Sequence, residues 1–411
     1  MDRRYRTVQR VAVTAVTVVA TLTVIACGTS QTSGSTEGKN CAVPGVTAKE
    51  IKIGFLYPDT GSLSGGFHAF RAGVDARLGA ANAGGGVAGR SLSYTWRDDA
   101  SNPATNLAGA RALINDDGAF GIIETTGAAT GSAAFLHDRE IPVTGSGLEP
   151  AWTANDNMFT YLSFMGSGSV STWGDYTVSQ GGHTAFILKT AFSETMRTIG
   201  EKVGASLRAV GVRVTGAAEI SPAADQTNIV NQIKASGADT LVALASPETL
   251  DQAVVAARRA GVSLRVAMSF SPGYDQNLLQ KYGQGIAGTS YFLGTTPFEL
   301  NTPAHREFLQ AMSMYAPQLQ PATNSGALSG WISADMMVRG LQEAGTCPTR
   351  QQFIRGFRAV KDYNANGLLP VPIDMTANFG QMNACLMFVK VNDDGTHFAP
   401  EPSARCGRRI F

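Results

Sequence analysis

The sequence predicts an α/β protein of two lobes, each built on a parallel β-sheet. Short apolar β-type runs alternate with segments of helical periodicity from residue 50 onward, the pattern of βαβ units on parallel sheets. The alternation comes as two successive series, residues 50–164 and 165–293. The chain has 411 residues, too many for one ordinary domain of roughly 100–200. Lys+Arg 33 against Asp+Glu 32 leaves a net charge of +1, which excludes a basic nucleic-acid binder. At 44% hydrophobic and 16% charged, the chain is too apolar for a disordered scaffold and less charged than the roughly 25% usual in soluble domains.

The N-terminus indicates where the protein works. Arg3, Arg4, Arg6 and Arg10 precede an uncharged apolar run, residues 11–25. As a helix that run spans roughly 22 Å, short of the roughly 30 Å hydrocarbon core, so it reads as an export signal. Val24-Ile25-Ala26-Cys27-Gly28 has the form of a bacterial lipobox, in which cleavage leaves a lipidated N-terminal cysteine, Cys27. An ordinary export signal followed by a chance cysteine is the alternative. Residues 28–40 are Gly, Ser, Thr and Gln with one Glu-Gly-Lys, a tether with a reach of about 20 Å. No later segment approaches eighteen consecutive apolar residues; the expectation is an extracytoplasmic protein held to the cell membrane only by its lipid.

The elements follow in order. Residues 51–57 (IKIGFLY) are a strand closed by Pro58 and turn residues, and Phe70, Val74, Leu78 and Ala81 then recur at helical spacing. NAGGGVAG at 82–89 breaks the helix before a strand at 92–96. Helix 104–114, strand 120–123, helix 128–136 and strand 141–144 complete the first series. In the second, strands at 185–189, 212–220, 240–244 and 264–268 lead into helices at 194–210, 226–236, 250–260 and 274–281. Residues 294–411 hold a helical stretch at 324–343 and a β-rich tail near 386–391, and complete the two lobes. The division expected is 1–26 as signal, 27–47 as lipidated cysteine and tether, 48–164 with about 294–380 as lobe 1, and 165–293 with about 381–411 as lobe 2.

Four further cysteines, Cys41, Cys347, Cys385 and Cys406, form no C-x-x-C, so zinc and redox motifs find no support. An even count in an exported chain favours disulfides, and Cys347–Cys385 with Cys41–Cys406 is the expected pairing. The sequence lacks G-x-S-x-G, H-E-x-x-H, G-x-x-x-x-G-K-[ST] and a post-strand G-x-G-x-x-G, and no enzyme activity, metal or cofactor is expected. The five histidines lie far apart; His68 alone follows a loop at a strand's carboxyl end. Ligands of open parallel sheets bind beyond those ends, and Thr125-Thr126-Gly127 lies between a strand and a helix start, where free N–H groups can receive a carboxylate. Gly and Thr also cap helices with no ligand.

Several short stretches, in both series, carry a family resemblance. Ile51-Lys52-Ile53-Gly54 leads to Thr60-Gly61, then to Asn82-Ala83-Gly84-Gly85-Gly86-Val87-Ala88-Gly89-Arg90 and Asp98-Asp99-Ala100-Ser101-Asn102-Pro103. In the second series Asp225-Gln226-Thr227 precedes Ala256-Ala257-Arg258-Arg259-Ala260-Gly261. Their order and spacing resemble the substrate-binding proteins of branched-chain amino acid ABC importers, the leucine/isoleucine/valine-binding type, in lipoprotein form. The resemblance implies the periplasmic-binding type I fold, two Rossmann-like lobes joined by a hinge. It also implies a monomer, a small organic ligand between the lobes, and ABC permease and ATPase subunits as partners, in an extracytoplasmic setting such as an actinobacterial cell surface. A ligand-sensing lipoprotein that reports to a receptor is the alternative on the same fold.

The resemblance places the ligand's carboxylate against Thr125, Thr126 and Gly127 and against Ser146, Gly147, Leu148 and Glu149. It places an aromatic contact at Phe192 and a further one at Ser246; Ser64 and Phe67 belong to the first cleft loop. The family's ammonium-binding glutamate falls near Phe270, where no acid stands. A buried ammonium without a carboxylate costs several kcal/mol, so an amide, a short carboxylate or an aromatic acid is as admissible as an amino acid.

Overall fold

The first series folds as β1 (Glu50–Tyr57), α1 (His68–Ala83), β2 (Ser91–Asp98), α2 (Pro103–Arg111), β3 (Ile122–Thr125), α3 (Thr130–Asp138), β4 (Val143–Gly147), α4 (Ala151–Ala154) and β5 (Met158–Ser163). This computed structural model describes residue 41 and residues 43–411, except 62, 63, 65, 66, 191–193, 221–225, 271 and 272, and except the side chains at 190, 194, 247 and 270. The export signal, Cys27, the tether up to residue 40 and Phe192 lie outside the described residues. The strands form one parallel sheet in the order β2-β1-β3-β4-β5. β1 is buried from Ile53 to Tyr57 on both faces, with Lys52 half-exposed near its start, as expected of a central parallel strand covered by helices on both sides. Asn102 starts α2 by accepting from Ala104 N–H at 2.9 Å, with Pro103 at the first helical position. The helix then continues as a π-turn, Ala112–Asp116.

The chain passes through β6 (Ser169–Val170) and α5 (Thr172–Ser179) into the second series. This comprises β7 (Thr184–Thr190), α6 (Glu194–Ala209), β8 (Arg213–Ile220), α7 (Gln226–Ser236), β9 (Thr240–Leu244), α8 (Pro247–Arg259), β10 (Val266–Phe270), α9 (Gln276–Tyr282) and β11 (Thr289–Leu293). Helices α10 (Pro303–Tyr315), α11 (Ser325–Glu343) and α12 (Arg350–Arg358) follow, then β12 (Cys385–Val391), β13 (Phe398–Pro400), β14 (Arg405–Cys406) and β15 (Arg409–Ile410). Parallel strands β8-β7-β9-β10-β11 repeat the first sheet's order, and antiparallel β12 and β13 extend it, with β14 also paired to β12. β15 pairs with β6.

α11 packs against α1 and against β4 of the first sheet. Two glycines permit the helix contact: a Cβ on Gly73 would lie 1.8 Å from the Ala327 carbonyl oxygen, and one on Gly330 would lie 1.9 Å from that of Phe70. α12 follows the Thr349–Gln352 capping box and buries Phe353 and Phe357, one turn apart, against Phe159 of β5. The sequence reading missed β5, α5, β11, α10 and α12. β5, α5 and β11 are short; α10 and α12 carry readable start signals, Thr302-Pro303 and the Thr349–Gln352 capping box, that the sequence reading passed over.

The cysteines pair differently from expectation. Cys41 joins Cys347 and Cys385 joins Cys406. β12 and β14 are antiparallel with Cys385 and Cys406 directly opposite, Cα atoms 4.0 Å apart. Cys41 is brought to the turn between α11 and α12 by Arg90, whose guanidinium donates to the carbonyls of Thr47 and Thr346, each at 2.8 Å. Register and a buried arginine, neither visible in cysteine spacing, decide the pairing.

Candidate functional site

Each sheet reverses its strand order at one strand. In the first, β2 and β3 flank β1; in the second, β8 and β9 flank β7. The crevice beyond such a switch point is the default ligand position of an open parallel sheet. It falls at residues 58–67 and 125–130 on the first sheet, and after β7 and β9 on the second.

Asp98 organises the first loop. Its carboxylate accepts from the N–H groups of Asp59, Thr60 and Ala100 at 3.0, 3.2 and 2.8 Å, and from the Thr60 hydroxyl at 2.5 Å. Burial alone would raise its pKa, but the Thr60 hydroxyl and the backbone donors outweigh that and hold it below the usual range. Ser64 donates to the Gly61 carbonyl at 3.1 Å, so its hydroxyl serves its own loop. Phe67 is half-buried just before α1.

Thr125 and Ser146 are register partners on β3 and β4. Thr125 is fully buried, and its hydroxyl has no protein partner. The Thr126 hydroxyl accepts from Ala128 N–H at 3.0 Å; Gly127 is half-buried. Gly147 N–H donates to Thr160 Oγ1 at 2.9 Å, and Leu148 N–H to the Ser146 carbonyl at 3.1 Å. Glu149 turns back to the start of α3, accepting from Thr130 N–H at 2.7 Å. The positive end of that helix therefore already has an anion. Behind this wall Asn106 Nδ2 bridges Glu124 Oε1 at 2.8 Å and Asp99 Oδ2 at 3.1 Å. Glu124 is fully buried. Burial pushes it up to about 8; the Asn106 hydrogen bond opposes this and the charges of Asp99 and Glu149 add to it.

On the second sheet Ser246 is exposed, its hydroxyl 2.6 Å from that of Thr249 at the start of α8. Glu248 is engaged by Lys281 and by the Tyr282 hydroxyl. Phe270 ends β10 in register with Phe292 of β11. The sequence reading missed a cavity of about 220 Å³ lined by Tyr274, Gln276, Phe298, Glu299 and Thr323. Tyr274 and Gln276 follow β10 and Phe298 and Glu299 follow β11 on the second-sheet side, while Thr323 precedes α11, which packs on the first sheet. The Tyr274 hydroxyl donates to Glu299 Oε2 at 2.5 Å and accepts from Phe298 N–H at 2.9 Å, and its ring stacks on Phe298. Burial raises the Glu299 pKa, and the Tyr274 hydrogen bond opposes the rise. The signal that could have found this cavity is an aromatic and an acid directly following two consecutive strands. Residues 58–61, 125–130 and 145–150 follow strands at one end of the first sheet, whereas Tyr274, Glu299 and Thr323 line the separate cavity. Among the described residues no three His, Cys, Asp or Glu side chains are arranged to hold a metal, and no helix is long and apolar enough to cross a membrane.

A family model for periplasmic binding proteins matches residues 50–396. No curated protein matches the chain significantly. Solved structures share its fold. The branched-chain amino acid transporter substrate binding protein LivJ of Streptococcus pneumoniae, in complex with isoleucine, superposes with a TM-score of 0.69 at 15% identity, covering 87% of this chain and 99% of that one. An ABC transporter solute binding protein of R. palustris, in complex with 4-hydroxybenzoate, gives 0.71 at 18% identity, covering 87% and 98%. A fatty acid ABC transporter substrate-binding protein of Thermomonospora curvata gives 0.69 at 17% identity, covering 88% and 94%.

Proposed function

The chain belongs to the periplasmic binding protein family, and from that premise we propose that it is an extracytoplasmic solute-binding lipoprotein, anchored through Cys27, which captures a small organic ligand between its lobes and delivers it to an ABC importer. The observation that carries this reading is the match over residues 50–396, joined to two sheets of like strand order, each with a switch point where ligand-binding loops are expected. The ligand is a small carboxylate with an aromatic or apolar body. Three features support that choice. Phe270 stands where an ammonium-binding acid was expected; Glu149 and Glu248 are engaged by Thr130 and Lys281; and Tyr274 and Phe298 supply a stacked aromatic wall. Glu299 is the acid lining the cavity among the described residues, and it too is engaged, by the Tyr274 hydroxyl. The structural neighbour holding 4-hydroxybenzoate has a ligand of this kind.

A thermal-shift screen of aromatic acids, short carboxylates, amides and amino acids tests both levels. A ligand at 100 times its Kd stabilises by about 2.7 kcal/mol. No shift with any class would refute solute binding. Tight leucine or valine binding by calorimetry, with aromatic acids silent, would refute the ligand class alone.

A further inference from the structure

A second, smaller cavity lies at β5, the edge strand of the first sheet. It is lined among others by Trp152 of α4, Thr160 and Ser163 of β5, Arg358 of α12 and Asn383. Its room for the centre of a water-sized sphere is about 20 Å³. A single water needs roughly 10–15 Å³ by that measure, so one small occupant fits and an organic solute does not.

The lining is rich in donors that the protein leaves unused. Trp152 Nε1, Ser163 Oγ and Arg358 Nε are each buried without a protein hydrogen-bond partner; Trp152 is 1% and Ser163 4% exposed. An indole N–H and a guanidinium N–H can only donate. Leaving one buried donor unpaired costs about 1–3 kcal/mol, and three line the same cavity. Neighbouring polar groups are already committed. Asn383 accepts from Ser163 N–H at 2.7 Å and donates to the Tyr161 carbonyl at 3.0 Å. Thr160 Oγ1 donates to the Leu162 carbonyl at 2.9 Å while accepting from Gly147.

Arg358 supplies a charge with no counter-charge in contact. Its guanidinium lies between the rings of Phe159 and Phe379, 4.2 and 4.4 Å from their centroids. Its terminal nitrogens donate to the backbone carbonyls of Met375, Asp156 and Met158, at 2.9, 2.5 and 3.1 Å. Those bonds hold the edge of β5 but carry no negative charge. The Asp156 carboxylate, which acts on Arg358 through space, is exposed and lies 3.5 Å from His137 Nδ1. Burial lowers the Arg358 pKa only to about 10, so the group stays cationic near neutrality. A partly buried cation without a paired anion is costly. One water could accept from Trp152 and Arg358 and donate to the Ser163 hydroxyl, which is both donor and acceptor, but only an anion also neutralises the guanidinium, and a monatomic anion can accept from all three groups.

We propose that this cavity binds one halide ion, chloride in the cell's surroundings, held by Trp152 Nε1–H, Ser163 O–H and Arg358 Nε–H. The site does not rest on the solute reading: none of its three donors is a candidate solute contact, and the cavity is too small for that ligand.

Bromide is the probe. Crystals grown in sodium bromide should show an anomalous peak within hydrogen-bond reach of all three donors. In solution, thermal midpoints should rise saturably when sodium bromide or chloride replaces sodium gluconate at constant ionic strength. The Trp152→Phe, Ser163→Ala double variant keeps the ring and the β5 backbone; its apparent halide affinity should fall about tenfold or more. No anomalous peak at the cavity of the unmodified protein overturns the proposal, as does a halide response unchanged in a folded double variant.

Discussion

Replacing Glu124 by Gln should flatten the pH dependence of stability between pH 6 and pH 9. Glu124 is fully buried on β3, with one carboxyl oxygen bonded to Asn106 and the other without a protein partner. Its folded-state pKa of about 8 stands far above the ordinary value of 4.5, with burial the largest cause. The folded protein therefore holds this proton more tightly than the unfolded chain. That contribution to stability is complete at acid pH and is lost as pH rises through the folded pKa, because the buried carboxylate must then form. At about 1.36 kcal/mol per pKa unit, the share lost between pH 6 and pH 9 is about 2–3 kcal/mol. Gln preserves the acceptor for Asn106 and removes the titration. Urea unfolding of the oxidised protein at both pH values measures the effect. Asp251, raised by burial to about 7 and bonded to Tyr291 at 2.8 Å, contributes with the same sign in both proteins, so the difference between variant and parent isolates Glu124. An equal loss in parent and variant would refute the reasoning, whatever the variant's absolute stability.

Four further outcomes are expected. Removing Cys41–Cys347, which spans a sequence separation of 306, should lower stability by up to about 5–6 kcal/mol in the chain-entropy model; an unchanged urea midpoint would contradict the pairing. Gly330→Ala drives a methyl to within 1.9 Å of the Phe70 carbonyl oxygen and should cost about 1–3 kcal/mol or more by overpacking, read as a lower Tm, with an unchanged Tm counting against the α1–α11 contact. Thr125→Val removes a buried hydroxyl with no protein partner at almost constant shape. It should leave folding intact yet weaken ligand binding by about 1–3 kcal/mol, and unchanged calorimetry would remove Thr125 from the site. Cys27→Ala should release the protein from membranes into the soluble fraction; retention would end the lipoprotein reading.

The sequence by itself determined the alternation of strands and helices, because those signals are local. Residues 51–57 are mostly apolar and end at Pro58, and the glycine-rich break at 82–89 marks the end of α1 in the sequence itself. The short family motifs were legible for the same reason, and the family follows from the chain's own residues. Tertiary structure alone decided which groups face one another. Cys385 meets Cys406 because β14 pairs with β12, a register that no cysteine spacing contains. Glu149, a candidate ligand contact by position, closes the start of α3 through Thr130, since β4 carries it beside that helix. Tyr274 and Glu299 are 25 residues apart and meet because β10 and β11 are neighbours in one sheet. Trp152, Ser163 and Arg358 line one cavity because α12 folds back on the edge of β5 after the chain has built the second sheet. Strand formation depends on neighbours in sequence; a site depends on contacts across hundreds of residues, and only the packed sheets supply them.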